Sequence, residues 1–215
     1  MSSDPVQKEY SQIANRYDSR WSFYVNTTIQ KTLDRLEIAP KERILDMGCG
    51  TGTLIEQILQ MFPEAEIVGI DISEEMLKVA KQKLSESVEL KLGSADNLPF
   101  PNNSFDVIVS TSVFHYFRDP IRALQEAKRV LKPYGRLIIT DWCHDYLTCR
   151  IYDFFMRRFD RAHFRTYQVD ELQVMLQGEG FQEIVIEKYK IDWFWGMMTA
   201  KAVKSSSVNS HLSPP

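Results

Sequence analysis

The chain reads as an α/β protein built on a doubly wound, mostly parallel sheet, and three observations predict it. Short apolar runs recur along the sequence, stretches of helical periodicity alternate with them, and a glycine-dense turn joins the first run to the first following helix. That turn lies in residues 43–52, Arg-Ile-Leu-Asp-Met-Gly-Cys-Gly-Thr-Gly, where a run carrying Asp46 passes into Gly48, Cys49, Gly50 and Gly52 and a helix opens at Thr53. Glycine adopts positive φ without cost and lets a ligand approach the main chain, so three glycines at alternate positions predict a loop that wraps a ligand.

The remaining elements follow in order. Helical patterns cover 5–17 and 22–36, and Pro40 separates them from the first strand. A second apolar run, 66–71, ends in Asp71, and Ser73-Glu74-Glu75-Met76 reads as a capped helix start with Ile72 and Met76 beside it. The third run, 88–93, leads to Ser94-Ala95-Asp96-Asn97-Leu98-Pro99-Phe100, again with an acid at its tip. The fourth, 104–110, ends at Ser110 and feeds a loop holding Phe114, His115 and Tyr116; an amphipathic helix then starts at Pro120 and closes at 132–135. Strand five, 136–140, is followed by Asp141 and Trp142 and by a helical segment, 151–159, whose Phe154, Phe155 and Phe159 serve either the packing of a lid or contact with a substrate. A helix over 169–176 stops at glycine, and two final strands, 183–189 and 196–203, complete the pattern. The polar tail 204–215 lacks periodicity and reads as disordered.

Composition bounds the function. A chain of 215 residues, 44% hydrophobic, is long enough to bury a sizeable core. A net charge of -3 argues against nucleic acid as the main partner. The three cysteines, Cys49, Cys143 and Cys149, have no metal-ligand spacing, so no metal is expected and the chemistry is that of a reduced, cytoplasmic protein. No window reaches the length of a membrane span, and no leader pattern opens the chain.

The ligand follows from spacing and charge. A dinucleotide fingerprint would place its third glycine at position 53, which is Thr, and Asp46 would repel a pyrophosphate while favouring a cationic group. S-adenosyl-L-methionine carries such a cation. Asp71 at the second strand tip suits the two ribose hydroxyls of any adenosine ligand, and Asp96 with its neighbours Ala95 and Asn97 suits the edge of adenine. His115, in the loop beside the switch point of the sheet, is placed either to orient or deprotonate an acceptor or simply to pack.

These motifs resemble the class I S-adenosylmethionine-dependent methyltransferases, whose first motif reads apolar-Asp-x-Gly-x-Gly-x-Gly, and within them the group similar to the ubiquinone and menaquinone biosynthesis enzymes. Asp96-x-Leu98-Pro99-Phe100 and the run from Ala123 to Leu137 match that group, as does Tyr10-x-x-x-Ala14-x-x-Tyr17-Asp18, which in such enzymes covers the cofactor. His115 resembles the first histidine of the group's Leu-His-His segment; the second is absent, and Tyr134 stands where a second glycine is usual, which on the surface should be harmless. The resemblance implies a Rossmann-like sheet of seven strands, the last antiparallel and inserted between the fifth and sixth. It further implies a helical cap over 1–40, a cofactor-binding domain over 41–203, and a lid over about 143–168. The cofactor set is then Asp46, Gly48, Cys49, Gly50, Gly52, Asp71, Ile72, Met76, Ala95, Asp96, Asn97 and Ser110. The acceptor set is Tyr10, Tyr17, Tyr116 and Trp142, with His115 as the candidate catalytic residue. The expected reaction moves a methyl group to a small aromatic or lipophilic acceptor. A cofactor-binding regulatory or assembly protein without transfer is the alternative, and a nicotinamide oxidoreductase the remote one. Oligomeric state is not legible.

Overall fold

The computed structural model describes residues 5–160 and 162–206. Seven strands, β1 (Arg43–Met47), β2 (Glu66–Asp71), β3 (Glu89–Leu92), β4 (Phe105–Thr111), β5 (Leu131–Trp142), β6 (Phe181–Lys190) and β7 (Gly196–Lys204), form one sheet in the order β3-β2-β1-β4-β5-β7-β6. Pairs among β1 to β5 are parallel, while β7 runs antiparallel to both β5 and β6. This is the sheet the resemblance implied, and the order in which strands are added reverses between β1 and β4, where ligands of open α/β sheets sit beyond the strand ends.

Helices α1 (Pro5–Arg20), α2 (Ser22–Leu33), α3 (Thr53–Met61), α4 (Glu74–Lys83), α5 (Pro120–Val130), α6 (Leu147–Phe159) and α7 (Val169–Gly178) flank the sheet. Because side chains of a strand alternate between faces, β1 feeds two cores. Ile44 joins one with Ile55, Ile58 and Leu33, and Leu45 and Met47 join the other with Leu124, Leu172 and Phe105. Helix starts obey local chemistry: the Ser73 hydroxyl accepts from Met76 N at 3.2 Å, and Asp119 accepts from Arg122 N at 2.9 Å with Pro120 in the first turn.

Some boundaries differ from the sequence reading. Helix α2 ends at Leu33, and tighter turns at Arg35 and Leu36 carry the chain towards β1. Strand β5 begins at Leu131: Leu131 pairs with Phe105 and Arg136 with Val107, and the 132–135 segment bulges out of the ladder between them. Tyr134 is not the harmless departure expected: it holds φ +63, the left-handed region, where a side chain costs about 1 kcal/mol and glycine does not. Of the polar tail, residues 207–215 lie outside the described residues, and Lys204, placed in the tail by the sequence reading, is the last residue of β7.

Candidate active site

The glycine loop is fastened by its own main chain. Gly48 N and Cys49 N both donate to the carbonyl of Ile70, at 2.8 and 3.0 Å, so the loop is held against the tip of β2. Gly48 takes φ +86, and a Cβ there would stand 2.7 Å from both methyls of Val113. Gly50, at φ +51, has nothing within 4 Å of a would-be Cβ. Gly52 serves another purpose: its missing Cβ makes room for Leu84 and Ala80, so it packs α3 and α4 and does not line the cavity.

Beyond the strand ends lies a cavity of about 200 Å³. Of the predicted cofactor residues, Asp46, Gly48, Cys49, Gly50, Asp71, Ile72, Met76, Ala95 and Asp96 line it; Gly52, Asn97 and Ser110 do not. Asn97 closes a turn through its N–H to the Ser94 carbonyl, and Ser110 is fully buried in β4. Asp71 is oriented by two main-chain donors, Gly50 N to Oδ2 and Ser73 N to Oδ1, each at 2.8 Å. Burial raises its pKa, and those N–H groups pull it back. Asp46 has less help. It is buried, its Oδ2 has no hydrogen-bond partner among the described residues, and burial, with the nearby Asp71 charge, pushes its pKa up to about 8. An unpartnered buried carboxyl on a cavity wall fits a cationic ligand, which would favour its charged form.

Helix α1 covers this cavity. The Tyr10 hydroxyl donates to the Tyr116 hydroxyl at 2.7 Å, and the rings of Tyr10 and Tyr17 lie 5.7 Å apart, so Tyr10, Tyr17 and Tyr116 form one wall. Burial pushes all three phenols well above their ordinary range, which keeps them neutral donors. A clamp ties α1 to the glycine loop: Asp18 accepts from Thr51 Oγ1 at 2.6 Å and from Lys83 Nζ at 2.7 Å, and Lys83 also reaches Thr53 Oγ1 at 2.8 Å. Asp18 and Lys83 are far apart in sequence, and only the Tyr17-Asp18 pair gave a signal.

The side of the cavity towards β4 and β5 is built differently. His115, in the 3₁₀ turn Phe114–Tyr116, is 2% exposed and does not line the cavity. Its N–H donates to Asp141 Oδ2 at 2.8 Å, its Nδ1 donates to Asp141 Oδ1 at 2.7 Å, and its ring stacks on Trp142 at 4.4 Å. Trp142 also sits behind the wall, passing its indole N–H to the Tyr24 hydroxyl at 2.6 Å, and Tyr24 does line the cavity. A second histidine, His163, lies 5.4 Å from His115 between ring centres and donates from Nε2 to Asp153 at 2.9 Å. Burial alone would raise Asp153, but His163, the Thr166 N–H and Arg157 together hold it down to about 2. The sequence reading gave Asp141, Tyr24, His163 and Asp153 no role; Asp141 carried the same signal as Asp71, an acid at a strand tip. Phe154, Phe155 and Phe159 do not pack the lid onto the sheet. They are 71%, 52% and 78% exposed, because the inner face of α6 is taken by Cys149 and Asp153.

A sheet with β7 between β5 and β6, and a cavity at the β1/β4 switch lined by Asp46, Asp71 and Asp96, have the form of an adenosine-ligand site of an open α/β sheet. Comparison with known proteins supplies the family. Residues 45–139 match the model of the methyltransferase domain. A demethylmenaquinone methyltransferase from Thermotoga maritima is 36% identical over 156 residues, which cover 69% of this chain and 67% of that protein. Another, from Symbiobacterium thermophilum, is 34% identical over 147 residues, 62% of this chain and 57% of its own length, so the match spans less than two thirds of that relative. A chain of the solved complex between the Haloferax volcanii Trm112 methyltransferase activator and a methyltransferase superposes with a TM-score of 0.82 over 93% of this chain and 97% of its own; at 20% identity this shows the fold. The chain belongs to the S-adenosyl-L-methionine-dependent methyltransferases. Its cofactor is S-adenosyl-L-methionine. No helix among the described residues is long and apolar enough to cross a membrane.

Proposed function

We propose that the chain methylates a small aromatic or lipophilic molecule, held between the glycine loop and the wall of Tyr10, Tyr17 and Tyr116. The observation that supports this most is the wall itself. Three neutral phenols with Tyr24, Val6, Val25 and Phe117 give the cavity an apolar side opposite its acids. Such a surface favours a flat apolar body with one polar handle over a charged polymer. The T. maritima relative is named for a demethylated menaquinone, an acceptor of that kind. The catalytic unit spans 41–203 with the 1–40 helices as its cover, in a protein that works in the cytoplasm without nucleic acid.

S-adenosyl-L-methionine supplies an electrophilic methyl group carried on a sulfonium. In this reading the Gly48–Gly50 main chain and Asp46 would hold its cationic amino-acid part, Asp71 would accept from the ribose hydroxyls, and Ala95 and Asp96, with Ile72 and Met76, would hold the adenine. Tyr10, Tyr17 and Tyr116 would orient the acceptor for methyl transfer. Alignment of this kind is worth roughly 7 to 11 kcal/mol, so a dedicated base is not required. His115 acts as a positioning residue: Asp141 fixes its ring, which packs at 4.0 Å between centres on Tyr116.

Incubation of the protein with methyl-labelled S-adenosyl-L-methionine and a cell extract tests this. Label in a small product that partitions into organic solvent is the expected result. Label confined to protein or nucleic acid would overturn the acceptor class.

A further inference from the structure

Helix α6 carries an apolar face that the fold leaves in solvent. Leu147, Ile151, Phe154, Phe155 and Phe159 are all exposed, and at helical spacing they fall within an arc of about 140° opposite the buried Cys149 and Asp153. The helix also carries Arg150, Arg157 and Arg158, all exposed, and its one acid, Asp153, is buried against His163 and Arg157. Arg158 reaches over the Phe159 ring at 6.0 Å. Against the side of the helix packs the 191–195 turn, through Thr148 Oγ1 to the Phe194 carbonyl at 2.6 Å and the Tyr152 and Phe194 rings at 5.6 Å; this turn presents Trp193, 81% exposed.

We propose that α6 and this turn dock on an anionic lipid surface. Charge selects the occupant. The chain as a whole is negative, yet this helix shows solvent only apolar and cationic groups; the neighbouring acids are engaged, Asp145 by Lys188, the C-capping Asp160 by the N–H of Ala162, and Asp192 by the N–H groups of Phe194 and Trp195. A second copy fits poorly, since a twofold contact would press three arginines against three arginines. Phenylalanine, leucine and tryptophan with flanking arginine are the side chains that settle into the boundary between headgroups and acyl chains. The inner face of α6 rests on Trp142 through Tyr152, at 5.5 Å between ring centres, so the docked helix is also the outer wall of the acceptor region.

The test is cosedimentation of the full chain with vesicles of phosphatidylcholine alone or with one third phosphatidylglycerol. Vesicles without any acceptor probe the surface alone, so failure here leaves the acceptor reading standing. Binding to the anionic vesicles is expected. Arg150→Gln with Arg158→Gln should weaken it by more than tenfold, at about fivefold per arginine, and Phe154→Ser with Phe159→Ser should abolish it. Both variants should keep wild-type affinity for S-adenosyl-L-methionine, which shows that they are folded. Equal binding to neutral vesicles, binding unaffected by the phenylalanine changes, or no binding by the folded chain would each overturn the proposal. Self-association lost in Phe154→Ser/Phe159→Ser, without vesicle binding, would give the face to a second copy and overturn it too.

Discussion

The two halves of the cavity are made by different means. On the side of β1, β2 and β3 the ligand surface is main chain and short acids: Gly48 and Gly50 at positive φ, Asp71 pinned by two N–H groups, Asp46 left without a partner. On the side of β4 and β5 it is rings: Tyr10, Tyr17 and Tyr116 in front, with His115, Trp142 and His163 stacked behind. In the proposed reading the first half holds the cofactor, which does not vary, and its geometry is set by two neighbouring strand-end loops bonded through their main chains. The second suits an acceptor in the same reading, and its rings come from four segments that meet only in the fold.

Breaking the backbone half should have the largest effect. Gly48→Ala drives a Cβ into Val113 at a φ that alanine resists, and should cost about 2 to 4 kcal/mol of stability, read as a lower unfolding midpoint, together with most of the cofactor affinity. Wild-type stability would mean that the loop is loose. Asp71→Ala comes next. It removes the acceptor for two charge-assisted bonds, so calorimetry should show S-adenosyl-L-methionine binding weakened by roughly 1.5 to 3 kcal/mol, and an unchanged dissociation constant would take Asp71 out of the site.

The pH dependence sharpens the contrast, because Asp46 belongs to one half only. Its folded pKa of about 8 lies above the ordinary 3.8, so free protein holds a proton there at neutral pH. A cationic ligand favours the carboxylate and expels that proton. Affinity should therefore rise with pH, by up to about tenfold per unit below 8, and level off above it. The stability of the ligand-free protein runs the other way: the contribution of the protonated carboxyl is full below the unfolded pKa and is lost as pH rises through the folded one. Affinity that is flat with pH would place the cation elsewhere.

What the sequence made legible follows the same division. The glycine spacing, Asp46, Asp71 and Asp96 announce a ligand loop and strand tips within short windows, and the order of the sheet followed from the family those windows resemble. The acceptor half gave less. Nothing near Tyr10 signals that it will meet Tyr116, 106 residues on, and His115 reads alike as a base or as packing until Asp141 and Trp142 are seen to hold it. Gly52 and Ser110 were drawn into the cofactor set by proximity in sequence, but one packs two helices and the other is buried in its strand. The lid phenylalanines misled because apolar residues at helical spacing normally turn inward, and here a buried Asp153 with its histidine occupies that side.

The separability of the two halves is tested most directly by titrating S-adenosyl-L-methionine into His115→Ala and measuring label transfer to the wild-type product with the same sample. The dissociation constant should stay within about twofold of wild type and transfer should fall at least about tenfold, since His115 supports only the tyrosine wall. Cofactor binding weakened as far as in Asp71→Ala, or transfer at the wild-type rate, would contradict it.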